Sequence, residues 1–187
     1  EELQNTAVYD RVGFVMSKIE SLAYKTTFNP DKMEGKIIIN LSYIDKNDSS
    51  MVLDKIKEVF IAGLAVSPYV RIFDEKEEFQ GQIIPAGQMG IATTCSITID
   101  GILMNKGIST DPKFGGIVQV QNGKPIRFTD VISYNGSTID PLEVFMTRDM
   151  TAVNDVLKTG SGKILVNLRE IPAVAKEQTE RLFNKLK

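Results

Sequence analysis

The chain has 187 residues, of which 42% are apolar and 25% charged, and its 24 acidic side chains nearly balance its 22 basic ones. Such a composition is typical of an ordinary globular protein, and a net charge of −2 argues against a nucleic-acid-binding surface in this chain. Histidine and tryptophan are absent and Cys95 is the only cysteine, which excludes a Ser-His-Asp triad, an imidazole metal ligand and an intrachain disulfide.

Three elements are predicted in the first third of the chain. Apolar residues at helical spacing predict amphipathic helices over residues 8–23 and 52–64. Between them residues 36–44 predict a strand, and its unbroken run of isoleucines favours a buried, central position in a sheet. A further short strand is expected over 69–73.

The middle of the chain, residues 83–140, is predicted to be rich in hairpins. A β-branched run predicts a strand over 91–99, and Asp100-Gly101 predicts a two-residue turn into a return strand over 102–106. A second such turn, at residues 122–123, is expected between strands 117–121 and 125–129. The remaining predicted elements are a strand over 131–134, helices over 141–146 and 150–158, a strand over 162–171 and a helix over 172–187 that buries Ala175, Leu182, Phe183 and Leu186.

The last predicted strand and helix repeat an earlier pair. The pattern Gly-Lys-Ile-x-x-Asn-Leu-x-x-Ile begins at Gly35 and again at Gly162, and an amphipathic helix follows each copy. This predicts two equivalent units, 35–64 and 162–187, on either side of the hairpin-rich middle; the alternative is that two unrelated strand–helix units look alike. We therefore predict a single α/β (α+β) domain over 1–187 with a mixed sheet and flanking amphipathic helices. An arrangement of this domain in two lobes with a cleft between them is compatible with the pattern.

The strand predicted over 91–99 carries the most informative side chains. Thr94 and Ser96 share one face of it, and the predicted turn would bring Asn105 opposite Ser96 and Lys106 opposite Cys95. Hydroxyls and amides are neutral donors suited to carboxylate or keto oxygens. Threonine is also common in strands for its propensity alone, which is the structural alternative.

Cys95 has two interpretations. A buried structural thiol is the commoner one; alternatively, Lys106 lowers its pKa and makes it nucleophilic. Because there is no histidine to activate the thiol, an enzyme based on Cys95 would depend on Lys106. A single cysteine also favours a reducing cytoplasm, and no apolar run is long enough for a transmembrane helix or a signal peptide.

Two further features are candidates for binding an anion. The pair Gly115-Gly116 precedes a predicted strand, where paired glycines let backbone N–H groups approach an anion, although a bend or bulge is their more usual role. Lys106 and Arg127 lie near predicted strand ends, where they would neutralise a dicarboxylate; a solvated surface charge is the alternative for each.

Five segments spread along the chain share a recognisable pattern. They are 24–30 (Tyr-Lys-Thr-Thr-Phe-Asn-Pro), 90–101 (Gly-Ile-Ala-Thr-Thr-Cys-Ser-Ile-Thr-Ile-Asp-Gly), 114–118 (Phe-Gly-Gly-Ile-Val), 127–129 (Arg-Phe-Thr) and 133–143 (Ser-Tyr-Asn-Gly-Ser-Thr-Ile-Asp-Pro-Leu-Glu). Together they resemble the NrpR regulatory domains of archaeal nitrogen-responsive transcriptional repressors, and the resemblance runs over nearly the whole chain.

The resemblance implies a non-catalytic module that needs no cofactor or metal, senses 2-oxoglutarate and thereby relieves repression of nitrogen-assimilation genes. In that family a winged helix-turn-helix binds DNA. No such sequence precedes residue 8, so we expect the sensor part alone, without direct contact to DNA or membrane and working as a homodimer or higher homo-oligomer. The resemblance places the ligand on the cysteine-containing segment, namely on Thr93, Thr94, Cys95 and Ser96, with Gly115 and Gly116 as backbone neighbours.

Two alternatives stay open beside the sensor. One is a non-sensing oligomerisation domain of the same kind of regulator, in which the effector pocket has decayed. The other is a small enzyme dependent on Cys95. Lys106 and Arg127 are candidate partners of the effector carboxylates from the residues alone, independently of the resemblance.

Overall fold

The computed structural model describes residues 13–186, which form helices, strands and two short 3-10 turns. The α-helices are α1 (Val15–Lys25), α2 (Ser49–Ile61), α3 (Ile97–Asn105), α4 (Pro141–Met146), α5 (Val153–Thr159) and α6 (Lys176–Lys185). The strands are β1 (Ile39–Asp45), β2 (Val70–Phe73), β3 (Glu78–Phe79), β4 (Gln82–Ile83), β5 (Gln88–Thr94), β6 (Asp111–Gln121), β7 (Lys124–Ser133) and β8 (Gly162–Glu170). The 3-10 turns are Lys46–Asp48 and Ala173–Ala175.

The strands form two three-stranded antiparallel sheets and one small hairpin. The first sheet has the order β1-β5-β2 and the second the order β7-β6-β8. The β3-β4 hairpin and the segment after it cover one face of the first sheet, where Phe79 and Ile84 pack with Phe73 and Ala92. The predicted α/β (α+β) class is confirmed, although the described strands pair antiparallel in two three-stranded sheets and a hairpin and not in one mixed sheet.

Several predicted boundaries are confirmed because local chemistry sets them. Asn122 and Gly123 both have positive φ, at 51° and 71°, and turn β6 into β7 as the two-residue hairpin requires. The Asp140 carboxylate accepts a hydrogen bond from the backbone N–H of Leu142, and Pro141 occupies the first turn of α4. Gly160 ends α5 in the left-handed conformation.

The hairpin predicted at Asp100-Gly101 is wrong. The strand ends at Thr94, and residues 97–105 form α3, so both Asp100 and Gly101 lie inside a helix. The predicted pairings of Ser96 with Asn105 and of Cys95 with Lys106 therefore do not exist. Ile99, Ile102 and Leu103 lie at helical spacing, and the packing of this apolar surface overrides the β propensity of the residues before it.

Three other predictions need correction. The strand over 36–44 begins only at Ile39 and lies at the edge of its sheet, so it is not central, because β5 takes that place. The strands predicted over 125–129 and 131–134 are one strand, β7, which ends at Ser133, since bulges in the β6–β7 ladder absorb the irregularity. Phe183 is exposed, whereas Leu182 beside it is buried.

The first predicted helix is observed from Val15 onward, and its predicted residues 8–12 lie outside the described residues. The second, predicted over 52–64, is α2 and ends earlier, before the positive φ of Gly63. Of the helices in residues 13–186, none combines the length and apolar character that a membrane span requires.

Both copies of the repeated pattern form an edge strand beside the central strand of a sheet. In each copy a 3-10 turn and then a helix follow, giving β1 with α2 and β8 with α6. That the two units are copies of one another stays a prediction.

The link from β5 into α3 connects the two sheets. α1 packs on α3 at Gly101, where a Cβ atom would lie only 2.6 Å from the carbonyl oxygen of Ala23 and would overlap the side chain of Thr26. On its other side α3 contributes Leu103 to a core with Ile108 and Leu182 of α6. Gly101 is thus required for the close approach of two helices and not for a turn.

We expect Gly101→Ala to lower the free energy of unfolding by about 1–3 kcal/mol or more, because the added methyl meets backbone and cannot be accommodated by a rotamer change. Urea unfolding followed by circular dichroism measures the loss. Lys57→Ala, on the exposed surface of α2, is the control and should change stability by no more than about 0.5 kcal/mol. Equal stability of the two variants would contradict this account of the glycine.

Candidate functional site

A cleft lies between the end of β5 and the strand β8, and we call it the β5–β8 cleft. Its volume is about 720 Å³, large enough for a small metabolite. Apolar side chains such as Ile99, Leu103 and Leu165 make up most of the lining. The polar side chains in the lining are those of Asn40, Thr94, Ser96, Asn167, Arg169 and Thr179.

Ser96 is the centre of the polar lining. Its hydroxyl oxygen accepts a hydrogen bond from Asn167 Nδ2 at 3.0 Å and another from the Arg169 guanidinium at 3.2 Å. A serine oxygen has two lone pairs, and here both are used, so the hydroxyl proton remains to be donated. Ser96 occupies the N-cap position of α3 without capping it, because both side-chain contacts run across the cleft to β8.

Arg169 and Asp100 form a buried ion pair beside Ser96. Arg169 Nε lies 2.6 Å from Asp100 Oδ1, and the two side chains are 15% and 2% exposed. The pair joins β8 of the second sheet to α3. Asp100 Oδ2 has no hydrogen-bond partner among the described residues, so this carboxylate depends on Arg169 for its side-chain compensation.

Tyr134 fixes the orientation of Asn167. Its hydroxyl donates to Asn167 Oδ1 at 2.5 Å, which directs the amide nitrogen of Asn167 at Ser96. Burial raises the pKa of Tyr134, and the Asp140 carboxylate reinforces this direction, so the phenol stays protonated and remains a donor.

Two threonine hydroxyls in the lining lack partners. Thr94 Oγ1, at the end of β5, and Thr179 Oγ1, on α6, are buried and make no hydrogen bond to any described residue. Thr179 is only 4% exposed. Because an unpaired buried hydroxyl costs about 1–3 kcal/mol, each of these two threonines would gain stability from a hydrogen-bond partner.

The structure brings together part of the predicted ligand site. Thr94 and Ser96 line the β5–β8 cleft. Thr93 pairs with Asn40 and Val70 in the first sheet and lines the neighbouring grooves. One of these grooves also carries three basic side chains, those of Lys25, Lys36 and Arg71.

The two predicted glycines have different surroundings. Gly115 pairs with Asn167 across β6 and β8, and a Cβ atom there would lie 2.7 Å from Pro141 and 3.3 Å from the Tyr134 hydroxyl. Because it has no side chain, Gly115 leaves room for Pro141 and for the Tyr134 hydroxyl that contacts Asn167, and so acts as a positioning residue. A Cβ at Gly116 would meet the ring of Phe128 and the backbone of β7, so Gly116 supports sheet packing and does not border the cleft.

The two predicted basic partners do not reach Ser96. Lys106 is the C-cap of α3, about 14 Å along the helix from its first residue, and its Nζ lies 3.5 Å from Asp31 Oδ2. Arg127 is on the exposed strand β7 and donates to Gln119 at 3.3 Å. The pairing of Lys106 with Cys95 depended on the hairpin that the structure replaces with a helix, whereas Arg127 was chosen for its place near a predicted strand end. Arg169 is a basic side chain that does contact Ser96.

Cys95 is half-buried between β5 and α3. Its backbone N–H donates to the Ile38 carbonyl at 2.9 Å. Burial raises the pKa of the thiol, and the charge of Arg169 opposes this only in part. Lys106 is too distant to activate it, so the structure favours the structural interpretation of Cys95.

Sequence reasoning missed Asp100, Tyr134, Asn167, Arg169 and Thr179. One signal was present: Asn167 and Arg169 alternate with apolar residues in β8, so both point to one face of that strand. Asn167 is also the asparagine of the repeated pattern, and its counterpart Asn40 lines the same cleft.

These features define a mixed α/β domain with a ligand-sized cleft whose mostly apolar lining carries a cluster of polar side chains. The chain belongs to the NrpR regulatory domain family, since the family model described as "NrpR regulatory domains NRD1 and 2" matches residues 12–187.

Named relatives agree with this membership. The chain is 45% identical over 184 residues to the global nitrogen regulator NrpRI of Methanosarcina mazei, covering 98% of this chain and 56% of the relative. It is 32% identical to the global nitrogen regulator NrpR of Methanocaldococcus jannaschii, covering 94% of this chain and 29% of the relative. The chain thus spans about half, or less, of the curated relatives it matches.

A solved structure shares the fold. The crystal structure of a nitrogen repressor-like protein from Methanococcus jannaschii superposes with a TM-score of 0.75 at 31% sequence identity, covering 91% of this chain and 69% of that one. Because the matched family is regulatory and the relatives are named regulators, the comparisons favour a regulatory role over an enzymatic one.

Removing Arg169 should leave the buried Asp100 carboxylate without its ion-pair partner and thereby lower the stability of the fold. We expect Arg169→Met to lower the free energy of unfolding by about 3–5 kcal/mol, and Asp100→Asn in the same chain to restore part of this loss. Lys46→Met, which breaks the exposed Lys46–Glu75 pair, should cost less than about 1 kcal/mol. Chemical denaturation measures both losses. Similar losses for Arg169→Met and Lys46→Met would show that the buried pair contributes no more to the free energy of unfolding than the exposed pair does.

Cys95 should alkylate slowly. Because burial raises its pKa and restricts access, we expect iodoacetamide at neutral pH to label the folded chain at least about tenfold more slowly than the same chain in denaturant. Mass spectrometry against time measures both rates. Labelling in the folded state that is as fast as in denaturant would revive the nucleophile hypothesis.

Proposed function

We propose that this chain is the effector-sensing domain of a transcriptional repressor of nitrogen-assimilation genes, and that it binds 2-oxoglutarate in the β5–β8 cleft. The observation that carries the proposal is the Ser96 hydroxyl, which accepts from Asn167 and Arg169 and so keeps its proton for a ligand. Family membership supports the regulatory role.

One carboxylate of the effector is assigned to Ser96 and Arg169. The serine donates its remaining proton, and the guanidinium has further N–H groups beside the one that contacts Ser96. Asn167 acts as a positioning residue, because Tyr134 holds it so that its amide keeps Ser96 aimed into the cleft.

The keto group is assigned to the hydroxyls of Thr94 and Thr179. Both lack partners and both line the same cleft, so a keto oxygen would receive the hydrogen bonds that they lack. The ammonium of glutamate is a poorer fit, because burying a charge against the apolar side chains of Ile99 and Leu103 costs more than burying a neutral carbonyl.

Asp100 moderates the affinity. Its carboxylate already neutralises Arg169, so the guanidinium offers directed hydrogen bonds more than free positive charge. Two or three such hydrogen bonds at about 1.5–3 kcal/mol each correspond to dissociation constants in the micromolar to millimolar range. That range suits a sensor of an abundant metabolite.

The mechanism we propose is a shift of population between two arrangements of a homo-oligomer. The effector binds one arrangement better and thereby moves attached winged-helix domains, in other segments of the full-length protein, out of register with DNA. A tenfold change in operator occupancy requires about 1.4 kcal/mol of differential affinity. A non-sensing oligomerisation domain is the rival, and it predicts no effector binding.

Calorimetric titration with 2-oxoglutarate, and with glutamate for comparison, tests the proposal. We expect saturable binding of the keto acid only. Thr179→Val should weaken it about tenfold, because the loss of one hydrogen bond to a charged or polarised ligand is of this size. The fold should keep its stability, since the substitution removes an unpaired buried hydroxyl.

Two variants are matched controls. Thr26→Val removes another buried hydroxyl without a partner, one that is not part of the cleft lining, and Lys36→Met changes the neighbouring basic groove. Neither should alter binding. Loss of binding with Lys36→Met alone would move the effector to that groove, and no heat from a folded chain would favour the oligomerisation domain.

A further inference from the structure

Among the described residues that line the β5–β8 cleft, Asn40 carries the one polar side chain to which the proposed function gives no part. It is exposed, and its amide makes no hydrogen bond to any residue that the structure describes. The other asparagine of the cleft is fully engaged, because the amide of Asn167 contacts both Tyr134 and Ser96. The two N–H groups of the Asn40 amide therefore remain available to a ligand.

The repeated sequence pattern marks the same residue. Asn40 and Asn167 are the asparagines of its two copies, and each lies in an edge strand of a different three-stranded sheet. Both line the β5–β8 cleft, so the cleft receives one amide from each sheet. A ligand with an acceptor group at each end matches this arrangement, because Asn167 holds the Ser96 hydroxyl in place and Asn40 offers a second donor.

The register of the first sheet places Asn40 near Thr94. Asn40 pairs with Thr93 across β1 and β5, and Ile39 pairs with Thr94. Since neighbouring strands lie about 4.8 Å apart and rise about 3.4 Å per residue, the Cα atoms of Asn40 and Thr94 are about 6 Å apart. The pleat directs these two side chains to opposite faces of the sheet. Because β1 begins at Ile39 and β5 ends at Thr94, both side chains reach the cleft at this end of the sheet.

We propose that Asn40 binds the distal carboxylate of the effector and thereby selects for a 2-oxo acid that has a second carboxylate. This inference rests on the proposed function, which places the keto group at Thr94 and Thr179. The carboxylate at Ser96 and Arg169 is then the one beside the keto group. In that pose the methylene chain of 2-oxoglutarate spans the short distance from the keto group to the Asn40 amide.

The charges around the cleft permit a second carboxylate. Arg169 is the one charged side chain among the described residues that line it, so no carboxylate of the lining repels a dianion. Because Asn40 is exposed, the distal carboxylate keeps part of its hydration there and needs a directed donor more than a buried counter-charge. A neutral amide supplies such a donor.

NMR titration of the isotope-labelled chain with 2-oxoglutarate and with 2-oxopentanoate tests the assignment, because a methyl group replaces the distal carboxylate in the second ligand. We expect the unaltered chain to bind 2-oxoglutarate at least about tenfold more tightly, which is the size of one hydrogen bond to a charged group. Asn40→Leu should weaken the binding of 2-oxoglutarate at least about tenfold and leave the affinity for 2-oxopentanoate unchanged. The spectra report in the same experiment that the variant is folded.

Ser42→Leu is the matched control. Ser42 is exposed on the same face of β1 as Asn40 and does not line the cleft, so this substitution should change neither affinity. Asn40→Asp separates the loss of a donor from a change of shape, because a carboxylate has nearly the shape of the amide and repels a second carboxylate. It should weaken the binding of 2-oxoglutarate more than Asn40→Leu does, and that of 2-oxopentanoate far less.

The outcomes separate this assignment from the effector proposal. If the unaltered chain binds 2-oxoglutarate but Asn40→Leu weakens both ligands equally, or neither, the assignment to Asn40 is wrong and the effector proposal stands. Equal affinity of the unaltered chain for the two ligands would likewise overturn only the assignment. If the folded chain binds neither keto acid, both proposals are overturned.

Discussion

The ion pair between Arg169 and Asp100 is the constraint on which the rest of the cleft depends. It joins β8 to α3 and places the guanidinium beside the buried Asp100 carboxylate. The same guanidinium then reaches Ser96, so the residue that joins β8 to α3 also contacts the hydroxyl that we propose as the ligand-binding group. Stability and binding are coupled here, because a change that frees Arg169 for a ligand also leaves Asp100 without compensation.

The sequence predicted the elements whose limits are set by local chemistry. The β6–β7 turn, the start of α4 at Pro141 and the end of α5 at Gly160 each follow from a residue that fits one backbone conformation. The segment 95–105 was predicted wrongly because its local signals conflict: β-branched residues and an Asp-Gly pair favour a hairpin. Packing of α3 between α1 and α6 decides the outcome, and that information lies in distant parts of the chain.

The same distinction explains the candidate site. The sequence pointed to one wall of the cleft, with Thr94 and Ser96, because the resemblance marks that segment. The other wall comes from Asn167 and Arg169, 71 and 73 residues further along, and only the tertiary arrangement of β8 and α3 brings them to Ser96. Lys106 and Arg127 were chosen because both lie near predicted strand ends. The helix α3 removes the hairpin that placed Lys106 beside Cys95, whereas Arg127 lies on the observed β6–β7 hairpin and donates to Gln119.

The first unit links the cleft to a helix that makes few contacts with the rest of the chain. β1 contributes Asn40 to the lining of the β5–β8 cleft, and the same strand leads through one 3-10 turn into α2. A small change in the position of β1 therefore meets little resistance from α2. A ligand that contacts Asn40 in one arrangement of the proposed homo-oligomer and not in the other would bias the equilibrium between them by the difference in those contacts. By linkage, whatever stabilises one arrangement must then change effector affinity by the same factor.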